Sequence, residues 1–134
     1  MASAKTRTRL LLALSVLLTL VFLMSGGSKL ANAKSAAGLA YDQQFVAWGY
    51  PAWARWVVGS AEVLGAVALL LPRTRFFAAA GLTLLMAGAT VTHLRVGEVG
   101  YAPFPLVLGL LAATLAWATR PASLPFVGAR PAAE

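Results

Sequence analysis

Glu62 is the residue of this sequence whose chemistry most needs an explanation, because it is a lone carboxylate in the apolar stretch from Val57 to Leu71. The other members of that stretch are Val, Leu, Ala, Gly and Ser. An ionisable group at membrane depth costs at least about 2.5 kcal/mol, so it is a functional-site hypothesis by default. Two interpretations stay open: a structural ion pair that fixes helix register, and a group that handles a proton or contacts a ligand.

Basic side chains lie at the ends of the neighbouring apolar runs. If the helix that carries Glu62 enters the outer interface around positions 53–56, Glu62 lies about 9–14 Å deeper at 1.5 Å per residue. Lys29 ends the preceding run, and His93 and Arg95 end the following one on the same side. A lysine stem can lean towards that layer. We therefore predict a polar cluster of Lys29, Glu62, His93 and Arg95, which binds a ligand or fixes the structure.

Each basic member of this cluster also has a simpler interpretation. For Lys29 it is an interfacial lysine that covers apolar surface with its stem, and for His93 a hydrogen-bonded interfacial histidine. For Arg95 it is a contact with lipid headgroups. A metal site is not predicted, because the sequence has one His, no Cys and four acidic residues.

The composition is that of an integral membrane protein. Of 134 residues, 60% are hydrophobic and 11% are charged, and the mean hydropathy is +0.77. A soluble domain of this length cannot bury so much apolar surface, whereas a bilayer accepts it as lipid-facing area. The absence of cysteine excludes disulfides and dithiol redox chemistry.

The formal charge of +7 does not indicate a nucleic-acid partner, because the basic residues lie at the ends of apolar runs and form no stripe among aromatics. They are topology determinants instead. With the N-terminus inside, seven basic residues are cytoplasmic and four are external, which predicts a multi-pass protein of the cell membrane with both termini in the cytoplasm. The cytoplasmic set is Lys5, Arg7, Arg9, Arg73, Arg75, Arg120 and Arg130, and the external set is Lys29, Lys34, Arg55 and Arg95.

Four apolar runs predict an all-α fold, an antiparallel bundle of four transmembrane helices. They extend from Leu10 to Leu30, from Trp53 to Leu71, from Phe76 to Leu94 and from Phe104 to Ala118. We assign residues 1–120 to this single membrane domain. Residues 121–134 are predicted to form a flexible cytoplasmic tail rich in Pro and Ala.

The link between the first two runs contains an aromatic segment from Tyr41 to Trp53. Its aromatic residues recur at helical spacing with polar groups between them, which predicts a short helix in the outer interface. This helix either covers the mouth of the polar cluster or only anchors the following membrane helix at the interface.

Small residues predict where helices approach each other closely. Gly59 and Gly65 share a helical face with Glu62, and Gly81, Gly88 and Thr92 line one side of the next helix. The face with Glu62 is expected to point towards the other helices and not towards lipid.

A secretory signal peptide is the main alternative for the N-terminal run. Three basic residues, a leucine-rich run and the sequence Ala31-Asn32-Ala33 fit that pattern. The run is at the long limit of such a segment, and Lys29 places a charge where its cleavage region begins. We therefore expect the N-terminal helix to be retained.

Four segments in a fixed order resemble the DoxX-like family of small four-helix membrane proteins. They are Phe22–Leu30, Trp48–Pro51, Gly59–Leu70 and Thr92–Arg95, within a region of similarity from about Arg9 to Trp117. The resemblance implies a four-helix bundle. It also implies an association with membrane oxidoreductase systems, which include a small subunit of thiosulfate:quinone oxidoreductase.

Together, the resemblance and the polar cluster indicate an accessory membrane subunit of a quinone-linked redox system. In it, Lys29, Glu62 and His93 bind or protonate a quinone-like headgroup near the outer leaflet. Quinone is the cofactor that the resemblance implies, and the sequence has no recognisable metal, haem or flavin motif of its own. The implied partners are the lipid bilayer and a redox partner protein.

A non-enzymatic membrane scaffold or assembly factor is the alternative function. Small-solute transport is less favoured, because one short bundle without an inverted repeat offers little for alternating access. The sequence does not decide whether the protein is an enzyme, and no residue is assigned a catalytic role.

Overall fold

The computed structural model describes residues 3–124 of the chain, and this part is all-helical, with five helices and no strand. The all-α class is therefore confirmed, including a short helix between the first two long ones. The predicted tail lies mostly outside the described residues. The helices are α1 (Ala4–Leu30), α2 (Tyr41–Ala47), α3 (Ala54–Leu70), α4 (Arg75–Arg95) and α5 (Pro103–Thr119).

Two helices in the described range are long and apolar enough to cross a membrane. They are α1, with a mean hydropathy of 2.3, and α4, with a mean hydropathy of 1.5. Helix α5 is a shorter apolar helix of 17 residues. Helix α3 also has 17 residues and carries Arg55 and Glu62.

The four long helices pack as two close pairs, α1 with α3 and α4 with α5, and the pairs meet along α3–α4 and α1–α5. Leu18 and Phe22 of α1, Leu69 of α3, Leu82 of α4 and Leu115 of α5 are buried in one shared core. Where the surroundings are lipid, such a core is stabilised by close packing more than by removal from water.

Helices α1 and α3 approach each other closely where Gly26 faces Gly59. A Cβ atom on Gly26 would lie 2.7 Å from the carbonyl oxygen of Gly59, and one on Gly59 would lie 2.9 Å from that of Gly26. Only a residue without a side chain fits at either position. The predicted close packing of the Gly59 face is confirmed.

The corresponding prediction for α4 is wrong for its two glycines within the described residues, whereas Thr92 is buried. No atom lies within 4 Å of the Cβ position at Gly81 or Gly88, and both residues are exposed. Helix α4 presents Leu82 and Met86 to the core instead. Spacing alone identified a face of small residues, but the larger apolar side chains decide which face packs.

Three helices end in a Schellman motif, in which the second residue past the helix end is left-handed. That residue is Asn32 after α1 (φ 53), Gly49 after α2 (φ 89) and Gly97 after α4 (φ 80). The next residue then donates its N–H to the carbonyl five positions back. These bonds join Ala33 to Ser28 (2.9 Å), Tyr50 to Phe45 (2.9 Å) and Glu98 to His93 (2.8 Å).

Arginine side chains bond backbone carbonyls at the ends of α1, α3 and α5. The last carbonyls of a helix carry its negative dipole end, so a guanidinium is favourable there. Arg55 donates to Lys29 O (2.7 Å) and Leu30 O (3.1 Å), Arg75 to Leu69 O (2.7 Å) and Leu70 O (3.2 Å), and Arg7 to Ala118 O (2.7 Å).

Candidate functional site

Glu62 forms an ion pair with Lys29. The Lys29 Nζ atom lies 2.9 Å from Glu62 Oε2 and 3.2 Å from Oε1. Ser25 Oγ accepts from Nζ at 2.8 Å and donates to the carboxylate at 3.2 Å, so the three groups form a ring of hydrogen bonds. Glu62 therefore points between α1 and α3 and contacts Lys29, one of the three basic residues of the predicted cluster.

The close packing of α1 and α3 places this ion pair. Ser25 and Lys29 lie one turn apart on α1, and Gly26 between them lets the backbone of α3 approach. Glu62 is only 1% exposed. The ring of Tyr41 lies 5.1 Å from Lys29 Nζ and completes the surroundings of the ammonium group.

His93 pairs with Glu98 and not with Glu62. Its Nδ1 atom lies 2.8 Å from Glu98 Oε2. Glu98 also accepts from Trp48 Nε1 at 3.1 Å and from Gln44 Nε2 at 3.4 Å. The imidazole contacts the edge of the Trp48 ring, with centroids 5.2 Å apart, and lies 6.0 Å from the ring of Tyr101.

Arg95 is turned away from both pairs. Its guanidinium donates to the carbonyl oxygen of Trp48 at the end of α2 and lies 5.5 Å from the ring of Tyr50. Tyr50 in turn shares a hydrogen bond with Thr92 of α4 at 2.8 Å. Arg95 therefore fastens the α2–α3 connection to α4, and it does not line the cavity described next.

The two acid–base pairs line one cavity of about 540 Å³. Its polar residues come from α1, from α2, from α3 and from the end of α4. The remaining wall is mainly apolar and comes from α3, α4 and α5. Helix α2 covers the cavity through Tyr41, Gln44 and Phe45, which are among its lining residues.

Helix α2 is fixed over the cavity from both ends. At its start, Asn32 Oδ1 accepts the backbone N–H of Asp42 at 2.9 Å, so the left-handed residue after α1 also satisfies a donor in the first turn of α2. A short bridge joins Lys34 to Ala40 in the connection between them. At its end, Trp48, the residue before the left-handed Gly49, donates from Nε1 to Glu98.

Tyr41 is a hydrogen-bond donor in the wall of this cavity. Burial raises the pKa of its phenol, and the nearby charge of Glu62 raises it further. The hydroxyl therefore keeps its proton at neutral pH.

Sequence reasoning assigned no site role to Glu98, Ser25, Trp48 or Tyr41. Glu98 was the hardest to find, because its contact with His93 depends on the left-handed turn at Gly97. The pattern of His, Gly and Glu at positions 93, 97 and 98 at the end of an apolar run was the available indication. Within residues 3–124, no group of three or more His, Cys, Asp or Glu side chains could hold a metal ion.

These features define a class: an all-helical protein with candidate membrane spans and an internal cavity lined by two acid–base pairs. The sequence model of the DoxX-like family matches residues 13–115, and the chain belongs to that family. The resemblance inferred from the sequence is thereby confirmed. No curated protein and no solved structure gives a significant match.

Proposed function

We propose that this protein is an accessory membrane subunit of a quinone-linked redox system, and that its cavity holds the headgroup of a quinone-type molecule. The cavity itself carries this proposal, because about 540 Å³ is within the usual range for small-molecule sites. Its mainly apolar wall with few polar groups also has the usual character of such sites.

The residues around the cavity suit a flat molecule with oxygen atoms at its edge. Tyr41 offers a hydroxyl donor, and the His93 ring offers a nitrogen. The Trp48 and Phe45 rings supply aromatic surface. When bound, a quinone-type molecule supplies the electron-accepting chemistry, while the chain's own residues bind and orient it.

Leu84 and Phe104 provide a route for an apolar tail. Both residues line the cavity, although their side chains are 75% and 68% exposed. The cavity therefore opens between α4 and α5 towards surroundings that are lipid in the proposed arrangement. A molecule with a long apolar tail enters from the bilayer through this opening.

The proposal includes four membrane crossings by α1, α3, α4 and α5, with both termini in the cytoplasm. The packing of α1 supports its retention in the mature protein, because Leu18 and Phe22 are fully buried in the shared core. Loss of α1 would also leave Glu62 without its ion-pair partner.

A redox partner protein is part of the proposal. The sequence has no recognisable haem or flavin motif, so electrons must come from another protein. The protein is therefore an accessory subunit and not a complete oxidoreductase.

Ligand-induced thermal stabilisation tests the cavity. The full chain in lipid nanodiscs is expected to melt at a higher temperature with menadione or decylubiquinone, because a ligand that binds only the folded state stabilises it. Ala89→Phe fills the cavity and should abolish the shift. Ala87→Phe, on an exposed face of the same helix, is the matched control and should keep it. A wild-type protein that responds to neither compound contradicts the proposal.

A membrane scaffold or assembly factor is the second candidate, and the ion pair of Lys29 and Glu62 favours it. The polar groups of Lys29, Glu62 and Ser25 form hydrogen bonds with one another, as expected of a structural ion pair that fixes helix register. Purification of the complex from native membranes distinguishes the two functions. A partner with flavin or haem absorbance supports the redox role, and a stable partner without a redox group supports the scaffold.

A further inference from the structure

The two ring nitrogens of His93 have different surroundings. Nδ1 contacts the carboxylate of Glu98 at 2.8 Å. Nε2 has no hydrogen-bond partner within residues 3–124, and it is not a buried atom. Because the ring lines the cavity and Nε2 is its accessible nitrogen, Nε2 is available to a molecule inside.

The surroundings of Glu98 determine which nitrogen carries the proton. A carboxylate only accepts hydrogen bonds, so Nδ1 must donate to it. Trp48 Nε1 and Gln44 Nε2 also donate to this carboxylate and hold it in place. In a neutral imidazole the other nitrogen is then an acceptor, since the partner of one nitrogen fixes the state of the other.

The ion pair of Lys29 and Glu62 offers no comparable group. The Lys29 ammonium donates to Ser25 Oγ and to the carboxylate, and Ser25 Oγ donates to the same carboxylate. A ligand would have to break this ring to bond either residue directly. Of the two pairs in the cavity, the one formed by His93 and Glu98 is therefore open to a ligand.

We propose that Glu98 holds His93 in the Nδ1–H tautomer and that Nε2 accepts a hydrogen bond from a hydroxyl group of the bound molecule. The second half rests on the proposed function, because it assumes a quinone-type occupant. It assigns a preference for the reduced, hydroxyl-bearing hydroquinone form. Glu98 is then a positioning residue that acts through His93.

Nitrogen NMR tests the tautomer without any ligand, and the chain is well suited to it because His93 is its single histidine. A protein labelled with ¹⁵N-histidine and purified without a histidine tag is expected to show a protonated Nδ1 and an unprotonated Nε2. Glu98→Ala should shift the ring towards the Nε2–H form. Glu98→Gln should retain the Nδ1–H form, because its amide oxygen can still accept from Nδ1 and Trp48. A wild-type ring in the Nε2–H form overturns the proposal.

Paired ligands test the hydroxyl contact. In nanodiscs, trimethylhydroquinone is expected to bind roughly tenfold more tightly than its dimethyl ether, which corresponds to one net hydrogen bond. The Nε2 resonance should move only with the hydroquinone. His93→Phe keeps an aromatic ring beside Trp48 and Tyr101 and should bind both compounds equally, whereas His93→Gln, whose amide oxygen can reach the Nε2 position, should restore part of the preference.

The outcomes separate this inference from the proposed function. Hydroquinone that stabilises the protein without moving the Nε2 resonance, or without preference over its ether, overturns the inference and leaves the proposed function standing. A protein that binds no quinone, hydroquinone or ether overturns the proposed function and the ligand contact with it. The tautomer measurement in the ligand-free protein then decides the role of Glu98 separately.

Discussion

At the residue scale, the structure divides the predicted polar cluster into parts with different environments. Lys29 and Glu62 form a buried pair in which each satisfies the other, while His93 is paired with Glu98 and Arg95 bonds a backbone carbonyl. An uncompensated charge in a buried site is far more costly than a paired one. The pair on α1 and α3 is therefore expected to act on stability, and the pair beside Trp48 on ligand binding.

Glu62→Gln is expected to lower the free energy of unfolding by up to about 3–5 kcal/mol, because it leaves the Lys29 ammonium without a counter-charge. The additional change Lys29→Met should restore part of that loss, since the two residues are coupled. Thermal unfolding in detergent measures both effects. Asp42→Asn is the control, because Asp42 forms no ion pair within residues 3–124 and its loss of charge should have little effect. Additive losses in the double variant would show that the two residues do not act as a structural ion pair.

The Tyr41 phenol is expected to ionise only above its ordinary pKa of 10.0, because burial and then the charge of Glu62 raise the pKa in the folded state. The phenol ionises at a lower pH in the unfolded chain than in the folded one. The free energy of unfolding therefore falls as the pH rises from 10.0 through the folded pKa. Tyrosinate absorbance measures the transition. Subtracting the titration of Tyr41→Phe isolates this residue from the other two tyrosines. A difference curve centred below pH 10 would be inconsistent with a buried phenol.

At the element scale, hydrophobic length predicted the four long helices and, except at the start of α1, placed their ends to within one residue. The apolar run from Leu10 predicted the first helix, which begins six residues earlier at Ala4 because Ser3 Oγ accepts from Thr6 N at 3.2 Å. The turns were beyond sequence reasoning, since a left-handed residue redirects every group that follows it. Glu98 was therefore missed, whereas Glu62 was identified, because burial of a charge in an apolar run is visible in the sequence itself.

Asn32 is expected to control the position of α2, because it follows α1 in a left-handed conformation and its side chain accepts from Asp42 N in the first turn of α2. Asn32→Gly keeps the backbone conformation and loses the hydrogen bond to Asp42 N, at a cost of about 0.5–1.5 kcal/mol. Asn32→Ala loses the same bond and, without the polar side chain that lets Asn adopt the left-handed region, costs about 1–2 kcal/mol more than glycine there. The expected order of melting temperatures is wild type, Asn32→Gly, Asn32→Ala. An alanine variant as stable as the glycine variant would show that backbone strain contributes nothing here.

At the scale of the whole molecule, the cavity lies where the two helix pairs, α1 with α3 and α4 with α5, face each other beneath α2. Helices α1 and α3 supply the ion pair of Lys29 and Glu62. Helix α4 supplies His93, and its partner Glu98 lies in the connection from α4 to α5. A displacement of one pair against the other would therefore change the cavity while leaving each close helix contact intact. The orientation of this assembly in the membrane determines which side ligands and partners approach from.

Cysteine accessibility is expected to establish that orientation, because the natural chain has no cysteine and each introduced one reports alone. Cysteine at Ala37 or Gly100 should react with a membrane-impermeant maleimide on intact cells, and cysteine at Ser123 only after permeabilisation. All three positions are exposed. An intact mass near the full 14.0 kDa should accompany this pattern if α1 is retained. External labelling at Ser123, or a mass that lacks the first helix, would exclude the proposed topology.

The contact between Trp48 and His93 gives the molecule an intrinsic optical reporter. The chain has four tryptophans, and Trp53, Trp56 and Trp117 are more than half exposed, whereas Trp48 lies in the cavity wall with its indole on Glu98. The emission of Trp53, Trp56 and Trp117 is set by surroundings that an occupant of the cavity does not touch. A change in fluorescence on filling the cavity therefore arises at Trp48, and Trp48→Phe provides the spectrum of the other three as a baseline.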